Sequence, residues 1–299
     1  MVKPKIDFTD ALENLLARVW QVSGDHLDSG FIRKTGEAVI DVRTIYRNKG
    51  EKLKGEKIKR YSQSIDFSQR RYRAGYIASF GERHAYLTYH HFKKIENVDQ
   101  AVIPEPQKGE LTVTVIGAGA ALELFGLCYY YNENKSRIRK LKINFIERTS
   151  DWQSDRDSML EMIIKKAFLK LRIIKKDITI NLAQDGIMPL SREYDSLAKS
   201  DIILIYNVLN EITFYHTKMV WKNIEYILKI CDKRVLILLV EPSAKYTISR
   251  IQPVIDQLSR CAKTILKSDE EEFVFNSGPL RIECSDSNSL NFRLFTKSN

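Results

Sequence analysis

The clearest candidate for ligand chemistry is a glycine-containing turn between an apolar strand pattern and an apolar helix pattern. Residues 113–116 read Val-Thr-Val-Ile, followed by Gly117, Ala118 and Gly119 and, two residues later, by Ala121. Glycine has no Cβ and adopts positive φ readily, so such a turn can bring backbone N–H groups and a helix N-terminus close to a ligand. The sequence therefore predicts nucleotide binding here. Tight packing between strand and helix is the alternative that the glycines leave open.

An acidic residue, Glu147, stands at the end of the next strand pattern, residues 141–146. A carboxylate at the tip of the second strand of a nucleotide-binding fold can accept hydrogen bonds from both ribose hydroxyls. An ordinary helix cap or surface acid is the alternative for this residue. A dinucleotide site would need a third glycine at the position of Leu122, so the pattern disfavours NAD and favours a ligand without a pyrophosphate.

Polar side chains also follow the fourth strand pattern, residues 201–206. Asn207, Asn210 and Glu211 come after it, at the carboxyl edge of the sheet, where open α/β folds bind their ligands. Either asparagine could hydrogen-bond an amino group or a base edge of a substrate. Glu211 could accept a proton in catalysis. Alternatively, it begins the next helix, where a carboxylate interacts favourably with the helix dipole.

Two regions must position these residues. Residues 103–110 combine two prolines, a glycine and charges, which predicts a boundary between a region of residues 1–104 and a domain of residues 105–299. Apolar residues at helical spacing in residues 10–22, and again from about residue 68 to 95, predict a helical N-terminal region. A mobile, lysine-rich loop is expected around residues 49–59.

Downstream, short β-branched runs alternate with longer amphipathic segments, which is typical of βα units and a mainly parallel sheet. The predicted strands are residues 111–116, 141–146, 178–182, 201–206 and 234–240, with helices at 121–132, 155–171, 215–230 and 248–262. Two further strands, at 272–276 and 290–296, have no helix between them. Without a crossover helix, these two strands must pair antiparallel or lie apart.

These motifs resemble those of the class I S-adenosylmethionine (SAM)-dependent methyltransferases, over about residues 111–297. The first motif of that family would be Val115, Gly117, Gly119 and Ala121, with alanine in place of the third glycine. The resemblance implies SAM as the cofactor. It also implies an α/β fold with a Rossmann-like, mainly parallel seven-stranded sheet that ends in an antiparallel hairpin.

The resemblance also implies roles for individual residues. The glycine turn would line the methionine part of the cofactor, Glu147 would hold the ribose, and Asp185 would lie beside the adenine amino group. The implied cofactor-binding residues are Ile116, Gly117, Ala118, Gly119, Ala121, Glu123, Glu147, Arg148, Gln184, Asp185 and Asn207, and the candidate catalytic residues are Asn207, Asn210 and Glu211. Residues 119–127 and 207–212 are similar to a ribosomal-RNA-associated group within the family.

The net charge of +10 is concentrated in the N-terminal region. Residues 43–73 contain eleven Lys or Arg and three acids, a local balance of +8, which favours a polyanion such as RNA; a solvated surface is the alternative. Cations and aromatic rings alternate next, and Arg70, Arg71, Tyr72, Arg73 and Tyr76 are the candidate substrate-binding residues. Bases could stack on these rings, but the four-residue spacing of the rings also fits a helix core.

The remaining features exclude other classes of protein. No run approaches the roughly 18–20 apolar residues that cross a bilayer, so we expect a soluble, cytoplasmic protein. Four scattered cysteines, and His84, His90 and His91 without a nearby acid, predict neither a disulfide framework nor a metal site. Two alternatives stay open beside an RNA methyltransferase: a methyltransferase of small molecules or proteins, and a non-catalytic scaffold that binds SAM or nothing.

Overall fold

The N-terminal part of the chain is helical. The computed structural model describes residues 9–21, 29–52, 65–134, 138–167, 171–183, 185–186, 188–206, 208, 217–231, 234–242, 245–273 and 288–297. Helix α1 spans Thr9–Trp20, α2 spans Ser29–Lys52 and α3 spans Arg70–Asp99, and a 3-10 turn follows at Gln100–Val102. Helices α1 and α3 lie where the apolar spacing predicts them.

Helix α2 overlaps the start of the predicted lysine-rich loop, so residues 49–52 are helical instead. Packing against α3 stabilises this helix: Val39 and Val42 are buried, and a Cβ on Gly75 of α3 would lie 2.3 Å from the carbonyl oxygen of Ala38. Buried contacts earlier in the helix therefore outweigh the polar composition of its last turn. The rest of the predicted loop, residues 53–59, lies outside the described residues.

A seven-stranded sheet with the strand order β3-β2-β1-β4-β5-β7-β6 forms the centre of the fold. The strands are Glu110–Ile116 (β1), Lys140–Glu147 (β2), Arg172–Thr179 (β3), Ile202–Tyr206 (β4), Val235–Pro242 (β5), Lys263–Phe273 (β6) and Asn288–Lys297 (β7). Strands β1 to β5 pair in parallel, whereas β7 lies antiparallel between β5 and β6. The carboxyl ends of the five parallel strands therefore share one edge.

Two strands differ from their predicted positions. Strand β3 is Arg172–Thr179, where the sequence predicts residues 178–182, and β6 is Lys263–Phe273, where it predicts residues 272–276. Both are edge strands, and most residues of β3 are exposed or half-buried. Edge strands tolerate polar side chains such as Lys175 because one edge, and often part of a face, meets solvent. A criterion based on apolar runs therefore misplaces them.

Helices cover both faces of the sheet. One face carries α4 (Glu123–Glu133) and α5 (Gln153–Ala167), and the other carries α6 (Met188–Ser191), α7 (Tyr194–Leu197), α8 (Thr217–Ile230) and α9 (Lys245–Cys261). The first face buries Val113 of β1 together with side chains of α1, α3, α4 and α5 in one apolar cluster. The second buries Ile203 of β4 with side chains of α8 and α9.

The N-terminal helices share their core with the sheet. Helix α3 approaches α4 so closely that a Cβ on Gly126 would lie 1.9 Å from the carbonyl oxygen of Ala85. The Tyr131 hydroxyl of α4 also donates to the carbonyl of Pro104 in the connector over 2.8 Å. The predicted boundary at residues 104 and 105 thus separates helices from sheet in sequence but not in packing. Within the described ranges, no helix has the length and apolar character needed to cross a membrane.

Candidate cofactor site

The turn after β1 has the backbone conformation that its glycines permit. Gly117 and Gly119 have φ of 65° and 46°, and Ala121 has φ of 54°. The N–H groups of Gly117 and Ala118 donate to the carbonyl of Ile146 over 2.8 and 3.3 Å, which ties the turn to the end of β2. Three of the five residues 117–121 therefore adopt left-handed backbone conformations before α4 begins.

The carboxylate of Glu147 bonds directly to this turn. Its Oε2 accepts from the N–H of Gly119 over 2.9 Å, and its Oε1 accepts from the N–H of Arg148 over 2.8 Å. Two backbone donors therefore fix the orientation of a half-buried side chain. A carboxylate oxygen can accept more than one hydrogen bond, and a ribose hydroxyl is a donor of the kind that it accepts.

Val208, two residues after β4, packs against the same turn. Val208 lies so close to Gly117 that a Cβ on Gly117 would come within 2.3 Å of Val208 Cγ2. The N–H of Val208 donates to Glu241 Oε1 over 2.9 Å, and Glu241, at the end of β5, is fully buried. Glu241 thus holds Val208 in place. Its position at the end of a predicted strand is the sequence signal for it, although the sequence gives no indication of its partner.

Glu123 has a different environment from the one expected of a cofactor ligand. It lies in the first turn of α4 and is 5% exposed, and its Oε1 lies 2.7 Å from Nδ1 of His84 in α3. The other oxygen, Oε2, is buried without a hydrogen-bond partner among the described residues. Glu123 therefore links α4 to the N-terminal helices, because α3 covers this end of α4.

A second polar contact joins α3 to the carboxyl edge. The hydroxyls of Thr88 in α3 and Tyr206, the last residue of β4, are 2.9 Å apart. Tyr206 is buried, and burial raises its pKa well above its ordinary value. The phenol is therefore neutral at physiological pH. This contact fixes the backbone immediately before the predicted active-site loop.

Asp185 follows β3 at the same edge and is exposed. Its Oδ2 accepts from the N–H of Asn181 over 2.6 Å, and its carbonyl accepts from the side-chain amide of Asn223 over 3.0 Å. The buried Asn223 of α8, which sequence reasoning missed, thereby holds the loop that presents Asp185. No local pattern identifies a single asparagine in the middle of a helix.

The other predicted site residues fall into three groups. Ile116 and Ala118 are buried and can offer only backbone atoms to a ligand. Arg148 is exposed, with its N–H bonded to Glu147. Gln184, Asn207, Asn210 and Glu211 lie outside the described residues. In the part of the chain that the structure describes, no group of three or more His, Cys, Asp or Glu side chains could hold a metal ion.

The candidate substrate-binding residues lie at the start of α3. Arg70 and Arg71 are exposed, and Arg71 pairs with Asp41 of α2. The half-buried rings of Tyr72 and Tyr76 pack against the apolar core, the alternative that their spacing left open.

Arg73 does not fit the substrate-binding role. It is 9% exposed, and its Nε donates to Asp155 Oδ2 over 2.7 Å. Its Nη1 donates to the carbonyls of Phe67 and Ser68 over 2.8 and 3.0 Å. The Arg73 guanidinium is therefore buried between α3 and α5, where it hydrogen-bonds groups of the protein itself.

Comparison with known proteins gives structural likenesses alone. No protein-family model matches the sequence, and no curated protein matches it. A Listeria monocytogenes protein assigned to the class I SAM-dependent methyltransferases is 13% identical, covers 97% of this chain and 88% of its own, and has a TM-score of 0.45. A Clostridium thermocellum protein assigned as an rRNA methylase is 8% identical, with coverages of 70% and 95% and a TM-score of 0.41. A SAM-dependent O-methyltransferase from Thermotoga maritima is 10% identical, with coverages of 69% and 65% and a TM-score of 0.37. These values are too low to assign a function, which must be argued from the site.

Proposed function

We propose that this chain is a SAM-dependent methyltransferase whose cofactor site lies at the carboxyl ends of β1, β2 and β4. The observation that carries the proposal is the bond of 2.9 Å between Glu147 and the N–H of Gly119. It joins the acidic tip of β2 to a turn that contains two glycines of positive φ. This juxtaposition offers hydrogen-bond acceptors for a ribose beside a backbone that a ligand can approach closely.

The charges around the turn favour SAM over a dinucleotide. SAM carries positive charge on its sulfonium and ammonium groups, whereas NAD carries a pyrophosphate. Two carboxylates lie at the carboxyl edge of the sheet, Glu147 at the end of β2 and Glu241 near the end of β5. In addition, Leu122, which replaces the third glycine of a dinucleotide motif, is buried in the core.

The chemistry required of the protein is mainly positioning. SAM, when bound, supplies an electrophilic methyl group on a sulfonium. The residues around the bound cofactor would align the acceptor lone pair with its carbon–sulfur bond and exclude water. We assign orientation of the acceptor to Asn207 and Asn210, and acceptance of its proton to Glu211.

RNA is the acceptor that the charge distribution supports best. The region of residues 43–73 carries a balance of +8, and Arg70 and Arg71 are exposed at the start of α3. The same helix contacts the carboxyl edge through Thr88 and Tyr206. A phosphate backbone bound along this surface would therefore lie on the element that leads to the proposed site.

The cofactor part of the proposal is tested by calorimetric titration with SAM and its demethylated product. We expect micromolar binding by the wild type and a loss of about tenfold to 100-fold in Glu147→Gln, because charge-assisted hydrogen bonds to the ribose are removed. Glu37→Gln is the matched control, since Glu37 is an exposed glutamate on α2. Absence of binding by a folded wild type would refute the methyltransferase proposal and support the scaffold alternative.

The acceptor part is tested by the salt dependence of binding to a single-stranded RNA oligonucleotide. Each phosphate contact contributes a slope of about −0.7 to the dependence of log affinity on log salt. Replacing both Arg70 and Arg71 with alanine should therefore weaken binding and flatten the slope by up to about 1.4. Replacing Lys218 and Lys222, two exposed lysines of α8, should do neither. Equal effects of the two double variants would contradict an RNA surface on α3 and favour a small-molecule or protein acceptor.

A further inference from the structure

We infer that Arg156 is a positioning residue that holds the glycine turn in its cofactor-binding conformation; this inference rests on the proposed function. Arg156 lies in the first turns of α5 and is 1% exposed. Its Nη1 donates to the carbonyl of Gly119 over 3.1 Å. The N–H of the same glycine donates to Glu147 over 2.9 Å, so Gly119 is held from both sides.

The remaining donors of Arg156 fix the guanidinium itself. Nε and Nη2 donate to Asp177 Oδ1 of β3 over 3.0 and 2.6 Å. The guanidinium carbon lies 5.1 Å from the centroid of the Phe145 ring of β2, a cation–π distance. Strands β2 and β3 pair Phe145 with Asp177, so these two supports come from adjacent positions of the sheet. The donor that reaches Gly119 is therefore anchored to the sheet rather than to a loop.

Burial of this charge needs an explanation beyond stability. Removing a guanidinium from water is costly, and apolar side chains of similar size often replace buried ion pairs without loss of stability. An apolar residue at position 156 could pack α5 on the sheet, but it could not donate to the carbonyl of Gly119. Because Gly119 lacks a Cβ and has φ of 46°, its peptide can rotate easily unless both of its polar groups are bonded. Arg156 supplies the second of these bonds.

Helix α5 also provides a matched control. Asp155, the neighbour of Arg156 in sequence, forms a second buried ion pair with Arg73 of α3 over 2.7 Å. It also has a weaker electrostatic attraction to Arg156, but its hydrogen bond goes to α3 and not to the glycine turn. The variant Arg156→Met with Asp177→Asn removes the pair that reaches the turn without leaving a buried charge behind. The variant Arg73→Met with Asp155→Asn removes the neighbouring pair in the same way. A purely structural role for Arg156 would make the two double variants equivalent.

Two measurements on the full chain decide the inference. Calorimetry with SAM should show affinity about tenfold to 100-fold weaker in Arg156→Met/Asp177→Asn, and within about twofold of wild type in Arg73→Met/Asp155→Asn. Arg156→Lys can donate to one partner but not to both. Its affinity for SAM should therefore lie between those of wild type and Arg156→Met/Asp177→Asn. Amide hydrogen exchange should be faster in residues 117–121 of the first variant alone, at a temperature where both variants are folded.

The outcomes separate this inference from the proposed function. Equal SAM affinities in the two double variants, or unchanged exchange of residues 117–121 in the first, would overturn the role of Arg156. If the folded wild type does not bind SAM, the proposed function fails, and hydrogen exchange alone then decides whether Arg156 holds the turn.

Discussion

Val208 packs against Gly117 at a distance that leaves no room for a side chain on the glycine. A Cβ on Gly117 would lie 2.3 Å from Val208 Cγ2 and 3.1 Å from Cγ1. Gly117 also has φ of 65°, which a residue with a Cβ adopts at a cost. Gly117, next to the end of β1, and Val208 are thus in direct contact, and the N–H of Val208 donates to Glu241.

Gly117→Ala should therefore lower the free energy of unfolding by about 1 to 3 kcal/mol and abolish SAM binding, because steric overlap and backbone strain act together. Chemical denaturation and calorimetry measure the two effects. Gly186→Ala is the control, since a Cβ there would meet nothing within 4 Å. Adding Val208→Ala to Gly117→Ala should recover part of the lost stability. A Gly117→Ala variant as stable as wild type would show that Val208 does not pack against this glycine.

Ala121 occupies the position of the third glycine of the motif with φ of 54°. An alanine in this region carries a strain of about 1 to 2 kcal/mol, partly offset by the greater flexibility of glycine in the unfolded chain. Ala121→Gly should therefore raise the free energy of unfolding by about 0.5 to 1 kcal/mol and leave SAM affinity equal or stronger. Thermal unfolding with and without SAM provides the measurement. A clear loss of stability would show that the methyl group of Ala121, which is 1% exposed, contributes more by packing than it costs in strain.

The buried contact between His84 and Glu123 should be visible in a double-mutant cycle. His84→Leu or Glu123→Leu alone leaves one polar partner buried, at a cost of about 1 to 3 kcal/mol. The double replacement should cost less than the sum, by about 0.5 to 3 kcal/mol. Denaturant titration of the four proteins measures this coupling. Strict additivity would mean that the two side chains do not interact, in spite of the 2.7 Å between Nδ1 and Oε1.

The buried imidazole of His91 should make the folded protein less stable as the pH falls. Its complete burial, with smaller contributions from His90 and Lys94, lowers its pKa well below the ordinary value of 6.5. The unfolded chain therefore binds a proton that the folded chain rejects, and the stability from neutral His91 is present above pH 6.5 and lost as the pH falls below it. As the pH falls from about 7.5 to 5.5, this residue should therefore lower the free energy of unfolding. The lowered pKa of His90 adds a loss in the same direction.

Denaturation of wild type and His91→Leu at both pH values tests this assignment. The variant should lose less stability than wild type over the same interval, because position 91 no longer titrates. Equal pH dependence in the two proteins would show that other groups cause the acid sensitivity.

The accuracy of sequence prediction differed between local and long-range features. The turn at residues 117–121 and the acid at Glu147 were identified because a strand, a glycine turn and a terminal carboxylate are adjacent in sequence. Strand β3 was misplaced because an edge strand does not need an apolar run. The sequence predicts Arg73 as a substrate-binding residue, because its buried partner Asp155 lies 82 residues away in the chain and no local pattern indicates the pair.

The sequence by itself determined the order of strands and helices, the glycine turn after β1 and the acidic tip of β2. Periodicity, glycine positions and strand ends are local properties of the chain. Only the tertiary structure decided that Glu123 contacts His84, that Arg156 donates to the carbonyl of Gly119 and that Val208 packs against Gly117. These partners are 39, 37 and 91 residues apart. The packing of α3 on α4 and of the strands within one sheet brings them together, and no local pattern encodes that packing.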